Sequence, residues 1–201
     1  MNILKQTVSS IVPVDQSSEP QIRAHIDSLT KPPGSLGRLE DLATRYCLIT
    51  HTLKPSVIKK RIVAFAGDHG VAREGVSAFP KDVTSQMVRN MLDGGAAINV
   101  LARHVGAEVH VVDIGVNGPL KNSPDLIRRK VRGGTDNIVK GPAMTKAEAI
   151  SAVEIGIKLA QDAYRERVSL IGTGEMGIGN TTPSSALFAA LLPCKVEEIA
   201  G

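Results

Sequence analysis

The segment of the sequence best suited to chemistry is rich in glycine and contains one acid. Gly172, Gly174, Gly177 and Gly179 fall within eight residues, directly after the apolar stretch 168–171. Glycine lacks the Cβ atom that keeps a backbone away from a ligand, so this spacing permits close approach of a small molecule. We predict a short strand, a glycine loop and a helix, with a ligand held against the loop.

The residues that follow the glycines predict the start of the helix. Thr182 before Pro183 resembles an N-cap residue with proline at the first helical position. Free N–H groups and the positive end of the helix dipole would then favour a phosphate or a carboxylate. Glu175 is not needed to bind phosphate, and is better placed for chemistry or for binding a sugar hydroxyl. A plain tight turn between strand and helix is the alternative.

The composition predicts a soluble globular chain with an aliphatic core. Hydrophobic residues make up 42% and charged residues 22%, whereas aromatics contribute only 2%. The core must therefore consist of Ile, Val, Leu and Ala, as in parallel sheets covered by helices. The net charge of +4 is dispersed and few aromatics are available to stack on bases, so no nucleic-acid partner is expected.

The cysteines and histidines argue against a metal or redox centre. Cys47 and Cys194 are isolated, as expected for reduced thiols in a cytoplasmic protein. The histidines lack metal-ligand spacing, so we predict no metal. His69, beside Asp68, is the one histidine that could belong to a site, and it could equally order its loop. We find no signal peptide and no run long enough to cross a membrane, so no membrane partner is expected.

The pattern of residues 1–55 predicts helices and no strands. Ser18 to Gln21 resembles a capping box, and Ser35 is predicted to cap a second helix. That second helix carries an apolar stripe with no obvious partner nearby: Leu36, Leu39, Leu42, Tyr46 and Ile49. We interpret this part as the helical segment of a small, incomplete domain.

Residues 56–201 predict alternating strands and helices. Buried strands are expected at 61–66 and 108–115 and before the glycine segment, and Thr145 to Glu148 is a capping box for a long helix. The alternation predicts an α/β fold, a Rossmann-like and largely parallel sheet with helices on both faces. Ligands of such sheets bind beyond the carboxyl ends of the strands, where Asp68, Asp113 and Glu175 should converge.

Several motifs, taken together, resemble one known family. They are LTKPPGSLGRLE at 29–40, AGDHGVA at 66–72, GVSAFP at 75–80, VTSQM at 83–87, GPAMT at 141–145 and GEMGIGNTTP at 174–183. In this order, the motifs resemble the nicotinate-nucleotide–dimethylbenzimidazole phosphoribosyltransferases of cobalamin lower-ligand synthesis. The match extends over nearly the whole chain.

The resemblance implies a reaction, its substrates and its site. Phosphoribose would pass from nicotinate mononucleotide to 5,6-dimethylbenzimidazole, giving α-ribazole 5′-phosphate and nicotinate, in a homodimer without a cofactor. Glu175 would be an auxiliary acid at the reacting centre, and Phe79 and Gln86 would wall the benzimidazole. The phosphate and ribose would lie on the remaining motif residues: Gly174, Gly177, Gly179, Asn180, Thr181 and Thr182.

The family continues well past the position that matches Gly201. Its later part carries a phosphate-contacting lysine and a glutamate that serves as general base, and no residue here matches either. The chain thus resembles the amino-terminal portion of the family. We expect it to be a fragment or a truncated product that is essentially inactive alone.

Two other interpretations remain open. A dinucleotide-binding (NAD) oxidoreductase fragment would use Gly172, Gly174 and Gly177, and would need an acid such as Glu197 or Glu198 at the end of a second strand. A non-catalytic folding or dimerisation piece is the other interpretation.

Overall fold

The computed structural model describes residues 3–120 and 122–200. The chain divides into two compact units, Met1–Ile58 and Lys59–Gly201. Among the described residues, no helix combines the length and the apolar character needed to cross a membrane.

In its described residues, 3–58, the first unit contains three helices, α1 (Ile3–Ser10), α2 (Glu19–Asp27) and α3 (Arg38–Thr50). Their small core joins α2 to α3 through four buried side chains: Ile22, Ile26, Cys47 and Leu48. The predicted stripe of α3 is therefore not the buried one. Leu39, Leu42 and Ile49 are exposed, as is Leu36 in the preceding turn.

Ser18 stands directly before α2, as predicted, but its capping box does not form, and the cap predicted at Ser35 is wrong. The side chain of Ser18 makes no capping hydrogen bond, because its backbone is already helical. Helix α3 begins only after Gly37, so Ser35 does not cap it. Glu40 closes the turn instead, since its Oε1 accepts the Leu36 amide at 3.0 Å and lies 2.9 Å from the Lys31 ammonium.

The second unit is built on a four-stranded parallel sheet, which confirms the predicted α/β fold. Its strands are β1 (Lys60–Gly67), β2 (Ala107–Gly115), β3 (Leu126–Arg128) and β4 (Leu170–Met176), in the order β3-β2-β1-β4. The helices of this unit are α4 (Val83–Leu92), α5 (Ala97–Val105), α6 (Lys146–Arg165) and α7 (Thr181–Leu191). Short 3₁₀ turns occupy Gly70–Glu74 and Val196–Glu198.

The main core lies on the face of the sheet that α4 and α5 cover. Buried side chains from strands and helices meet there: Ala64, Ala66, Val88, Met91, Ala96, Val111, Val116 and Leu126. All are aliphatic or thioether side chains, as the composition predicts. Helix α6 begins with the predicted capping box, because Thr145 and Glu148 exchange both hydrogen bonds.

Strand β4 is longer than the sequence indicates. It includes Gly172, Gly174 and Glu175, which the sequence pattern assigns to a loop. Gly172 packs against Ile62, and Gly174 packs against Ala64 and Ile98. These two glycines therefore serve close packing of the sheet, and the loop proper shrinks to 177–180.

A charge cluster joins β1, β2 and the end of α6 near the amino ends of the strands. The Arg61 guanidinium is buried and lies 2.8 Å from a Glu108 carboxylate oxygen and 2.6 Å from one of Glu166. Lys59 donates to the Glu166 carbonyl oxygen at 3.2 Å. Because both acids remain half exposed, this cluster fixes geometry more than it adds stability.

Candidate functional site

The strand order creates one natural place for a ligand. From β1 the chain continues to β2 and β3 on one side, whereas β4 joins β1 on the other side. The carboxyl ends of β1 and β4 thus flank a topological switch point, where open α/β sheets bind their ligands. A cavity of about 260 Å³ lies there.

The cavity combines apolar walls with one polar cluster. It is lined on the apolar side by Phe65, Ile114, Val131, Met144, Ala152 and Met176, and on the polar side by Asp68, His69, Arg132, Thr135, Glu148, Glu175, Asn180 and Ser184. Such a mixture suits a small molecule with both a flat ring and polar groups.

Glu175 reaches the cavity because of its place in the sheet. It pairs in register with Phe65, which lies between the core residues Ala64 and Ala66 and so faces the opposite side of the sheet. The Asn180 side chain donates a hydrogen bond to the Glu175 carboxylate. Glu175, the acid within the glycine segment of the sequence, is therefore held at the cavity by Asn180 in the turn after β4.

Asp68 is fixed at the end of β1 by the neighbouring loops. Its Oδ2 accepts the Asn117 amide at 2.6 Å, and its carbonyl oxygen accepts the Thr135 amide at 3.0 Å. The Thr135 hydroxyl accepts the Gly70 amide at 3.1 Å. Through its amide and its hydroxyl, Thr135 thus holds the loop that follows β3 against Asp68 and Gly70 at the cavity.

His69 is the histidine that the described residues contribute to the cavity lining. Burial lowers the pKa of His69 below its ordinary value, although the negative charges of Glu175 and Asp68 oppose the shift. The imidazole is therefore neutral near pH 7, with two carboxylates close enough to stabilise a proton gained during a reaction.

The third acid expected at this place is elsewhere. Asp113 is only 1% exposed, so it does not join Asp68 and Glu175 in the cavity. Its Oδ1 accepts the Val116 amide at 2.9 Å, and its Oδ2 lies 3.4 Å from the Lys130 ammonium. Asp113 holds the chain as it leaves β2, and its role is structural.

The helix start predicted from the sequence is too late. Helix α7 begins at Thr181 after Asn180, so Thr182 is not its N-cap and Pro183 is its third residue. The first-turn N–H groups of Thr181 and Thr182 nevertheless lie at the start of a helix of eleven residues, beside Asn180. Thr181 and Thr182 do not line the cavity themselves.

The three glycines predicted to contact the phosphate and ribose are required by the surrounding protein, through close packing or a positive φ. A Cβ at Gly177 would clash with the Gly67 carbonyl oxygen and would lie 2.8 Å from the His69 ring. Gly179 has a φ of +84°, a conformation that residues other than glycine rarely adopt. Gly174 faces Ile98 and Ala64, away from the cavity.

Phe79 and Gln86 are not part of this cavity. Both are exposed, Phe79 in the segment before α4 and Gln86 on α4. Several residues of the opposite wall of the cavity, which is formed by the loop after β3 and by α6, were not predicted from the sequence. Arg132 is one of these, held by Asp136 through two hydrogen bonds of 3.0 Å and lying 3.6 Å from Glu148.

The capping box at Thr145 could have pointed to that opposite wall. Its acid Glu148 both caps α6 and lines the cavity. The hydrogen bonds from the Thr145 amide and hydroxyl hold the pKa of Glu148 below its usual range. Among residues 3–120 and 122–200, no group of three or more potential ligands could hold a metal ion.

Comparisons with known proteins identify the family of the chain. The phosphoribosyltransferase family model DBI_PRT matches residues 11–201. A nicotinate-nucleotide–dimethylbenzimidazole phosphoribosyltransferase of Geobacter sulfurreducens is 58% identical over 94% of the chain and 54% of its own length. The enzyme of that name from Chlorobaculum tepidum is 54% identical over 98% of the chain and 56% of its own length.

A solved structure gives the same result. The crystal structure of CobT from Thermus thermophilus superposes with a TM-score of 0.87 at 48% identity, over 91% of this chain and 55% of that one. The chain thus spans little more than half the length of the relatives it matches. It belongs to the family of nicotinate-nucleotide–dimethylbenzimidazole phosphoribosyltransferases.

Proposed function

We propose that the cavity between β1 and β4 is a site of phosphoribosyl transfer. The donor is nicotinate mononucleotide, the acceptor is 5,6-dimethylbenzimidazole, and the products are α-ribazole 5′-phosphate and nicotinate. The observation that carries the proposal is the placement of Glu175, His69 and Asp68 around one cavity at the switch point. Family membership supplies the reaction.

Glu175 is proposed to stabilise positive charge on the ribose. When the bond between C1′ and the pyridine nitrogen breaks, nicotinate leaves with the electron pair and positive charge develops at C1′. A carboxylate fixed by Asn180 is pre-oriented toward such charge, which makes it effective in a cavity with apolar walls. The attacking benzimidazole nitrogen then completes the new bond.

The phosphate is proposed to bind at the start of α7. Unpaired N–H groups of a first helical turn and the helix dipole favour an anion there. Asn180, Thr181 and Thr182 are the residues proposed to contact it, whereas Gly177 and Gly179 shape the turn. The apolar wall around Phe65 and Met176 accommodates a flat ring. Phe79 and Gln86 stay predictions for contacts to benzimidazole.

Transfer also requires removal of the benzimidazole N–H proton. Glu175 is the acid in the cavity that we propose can accept it, in the absence of a residue matching the family's general base. Loss of a general base typically costs about 10²–10⁴ in rate. We therefore propose that the 201-residue chain alone binds nicotinate mononucleotide but converts it only slowly.

Binding and turnover test this function together. Titration calorimetry should show that nicotinate mononucleotide binds and NAD does not. Chromatography should show trace α-ribazole 5′-phosphate, reduced a further ~10²-fold by Glu175→Gln. Glu197→Gln is the matched control, because Glu197 lies in a 3₁₀ turn outside the cavity. Binding of NAD that Glu197→Gln weakens would refute the proposal.

The oxidoreductase interpretation has little support in the fold. Its ribose-binding acid must end a second strand, but Glu197 and Glu198 both lie in the 3₁₀ turn Val196–Glu198. The transferase is therefore the function we retain.

Two further properties belong to the same proposal. We infer a homodimer, supported by the exposed side chains of Leu39, Leu42 and Ile49 on α3. We also infer a cytoplasmic location, which suits the free thiols of Cys47 and Cys194.

A further inference from the structure

A buried hydroxyl group ties the turn after β4 to helix α4. Thr84 is the second residue of α4, and its side chain is 0% exposed. Its Oγ1 accepts a hydrogen bond of 3.1 Å from the backbone N–H of Ile178, which follows 94 residues later in the chain. Because a buried amide without a partner is costly, the Thr84 hydroxyl fixes the position of Ile178.

Helix α4 is a firm support for this hydrogen bond. Val88 and Met91 of the same helix are buried in the main core against the sheet. Thr84 stands four residues before Val88, so it lies on the same face of α4. An apolar side chain of similar shape, such as valine, would suit a position buried in this way. Packing alone therefore does not explain the hydroxyl, whose partner lies in the turn.

The turn 177–180 needs support from its neighbours. Glycine permits many backbone conformations, so a turn that contains Gly177 and Gly179 keeps one conformation only if surrounding groups hold it. On one side, Gly177 packs so closely against the Gly67 carbonyl oxygen that no side chain fits between them. Between the two glycines, the hydrogen bond from Ile178 to Thr84 supplies the second hold.

The last residue of the turn connects it to the cavity. The Asn180 side chain donates a hydrogen bond to the Glu175 carboxylate, and both residues line the cavity. The Asn180 backbone N–H donates to the Gly177 carbonyl oxygen at 3.0 Å, so a movement of the turn also moves Asn180. A continuous series of contacts thus leads from Thr84 through the turn and Asn180 to Glu175.

We propose that Thr84 is a positioning residue for the cavity between β1 and β4. Thr84 does not line that cavity. Its hydroxyl holds the turn 177–180 in the conformation in which Asn180 meets both Glu175 and the phosphate of nicotinate mononucleotide. This inference rests on the proposed function, which places the phosphate beside Asn180. Loss of the hydroxyl therefore weakens binding of the donor although no group that contacts the donor is removed.

Titration calorimetry with variants of similar shape tests this role. Thr84→Val replaces the hydroxyl by a methyl group and leaves the Ile178 amide without its partner. We expect the Kd for nicotinate mononucleotide to rise about 10-fold, as the loss of one good hydrogen bond would cause. Thr84→Ser keeps the hydroxyl and should bind nearly as tightly as the unmodified chain.

Thr44→Val is the matched control. Thr44 is 3% exposed in α3, and its hydroxyl donates to the Glu40 carbonyl oxygen at 2.8 Å. This variant also removes a buried hydrogen bond, so it should lower the free energy of unfolding, measured with urea, as Thr84→Val does. The Kd should stay unchanged in Thr44→Val, which separates positioning of the turn from a general loss of stability.

A second readout needs no substrate. The side-chain amide signals of Asn180 in a ¹⁵N NMR spectrum report its hydrogen bond to Glu175. They should shift toward those of a free asparagine in Thr84→Val and return in Thr84→Ser. If they respond in this way while the unmodified chain fails to bind nicotinate mononucleotide, the proposed function is refuted and the hold of Thr84 on Asn180 stands. Unchanged Asn180 signals in folded Thr84→Val would overturn the inference.

Hydrogen exchange in the unmodified chain decides the matter if Thr84→Val does not fold. Nicotinate mononucleotide should slow amide exchange at Ile178 and at 85–88 of α4 together, because the hydrogen bond joins turn and helix. Slowing confined to the turn would overturn the inference. So would an unchanged Kd in Thr84→Val, or a weakened Kd that Thr84→Ser does not restore.

Discussion

Asp113 and Glu175, two acids near the carboxyl ends of strands, have different surroundings and so different roles. Asp113 is buried and bound to a backbone amide and a lysine, whereas Glu175 faces the cavity and is held by an asparagine side chain. The sequence pattern, an acid near the end of a strand, is the same for both. Only the path of the following chain decides which carboxylate can touch a ligand.

Asp113 provides a stability prediction. Asp113→Asn keeps the shape but removes the charge that pairs with Lys130 and weakens the hydrogen bond to Val116. We expect a loss of about 1–3 kcal/mol in the free energy of unfolding, measured by urea denaturation. Nicotinate mononucleotide affinity in the folded variant should be unchanged. A clearly weaker affinity would place Asp113 in the site after all.

His69 provides a pH prediction. Because burial lowers the pKa of His69 in the folded state, the unfolded chain binds the proton more tightly. The free energy of unfolding should therefore fall as the pH drops below about 6.5, the ordinary histidine pKa. His69→Gln should make this dependence shallower without abolishing it, because burial also lowers the pKa of His110; urea denaturation between about pH 5 and 7.5 measures it. His104→Gln, at an exposed position, should not.

At the scale of elements, the glycines are the least predictable part of the sequence. The spacing of the four glycines between 172 and 179 suggests one function for all, close approach of a ligand. In the structure two of them pack within β4, one avoids a clash with β1 and one adopts a positive φ. Spacing alone does not separate these uses, because each depends on what lies opposite in the folded chain.

The glycine at 177 can be tested against one in a helix. Gly177→Ala would place a methyl group against the Gly67 carbonyl and the His69 ring, and overpacking of this kind costs about 1–3 kcal/mol. Gly156→Ala in α6 meets nothing within 4 Å and should stabilise the chain by about 1 kcal/mol. Thermal unfolding of both variants checks the contrast. Equal effects would show that the turn at 177 adapts.

Strand order is harder to predict than strand content. The main strands, the capping box of α6 and the α/β class follow from apolar runs and local hydrogen-bonding residues, so the sequence predicts them. The cavity wall around Arg132 and Thr135 comes from a loop after β3, and β3 has only three residues. Nothing local in that loop indicates that it folds back to Asp68.

At the scale of the molecule, two apolar surfaces compete as sites of assembly. One is the exposed stripe of α3 in the first unit. The other, in the second unit, is formed by the open edge of β4 and the exposed apolar side chains of α7, and we call it the β4–α7 face. They differ in backbone as well as side chains, because only the second offers an unpaired strand edge among the described residues. Two identical chains related by two-fold symmetry would pair their β4 edges antiparallel, in a sheet whose described strands are all parallel. We therefore expect identical chains to associate through α3 instead.

Sedimentation equilibrium checks this assignment. Leu42→Glu should lower the association constant of the chain at least ~10-fold, because a buried unpaired carboxylate is costly in an apolar interface. Leu187→Glu should leave it unchanged. The opposite pattern would assign dimerisation to the β4–α7 face, and a monomer at all concentrations would exclude the dimer.

The pairing of β1 with β4 also sets an order of folding events. Ser169 donates to the Lys59 carbonyl across 110 residues of sequence, whereas β2 pairs with β1 after a much shorter stretch. Closing the longer loop costs more chain entropy, and during synthesis β4 leaves the ribosome after the other strands of this sheet. We therefore expect the sheet to grow from β1 and β2 outward, so that the ligand cavity forms only once β4 has joined.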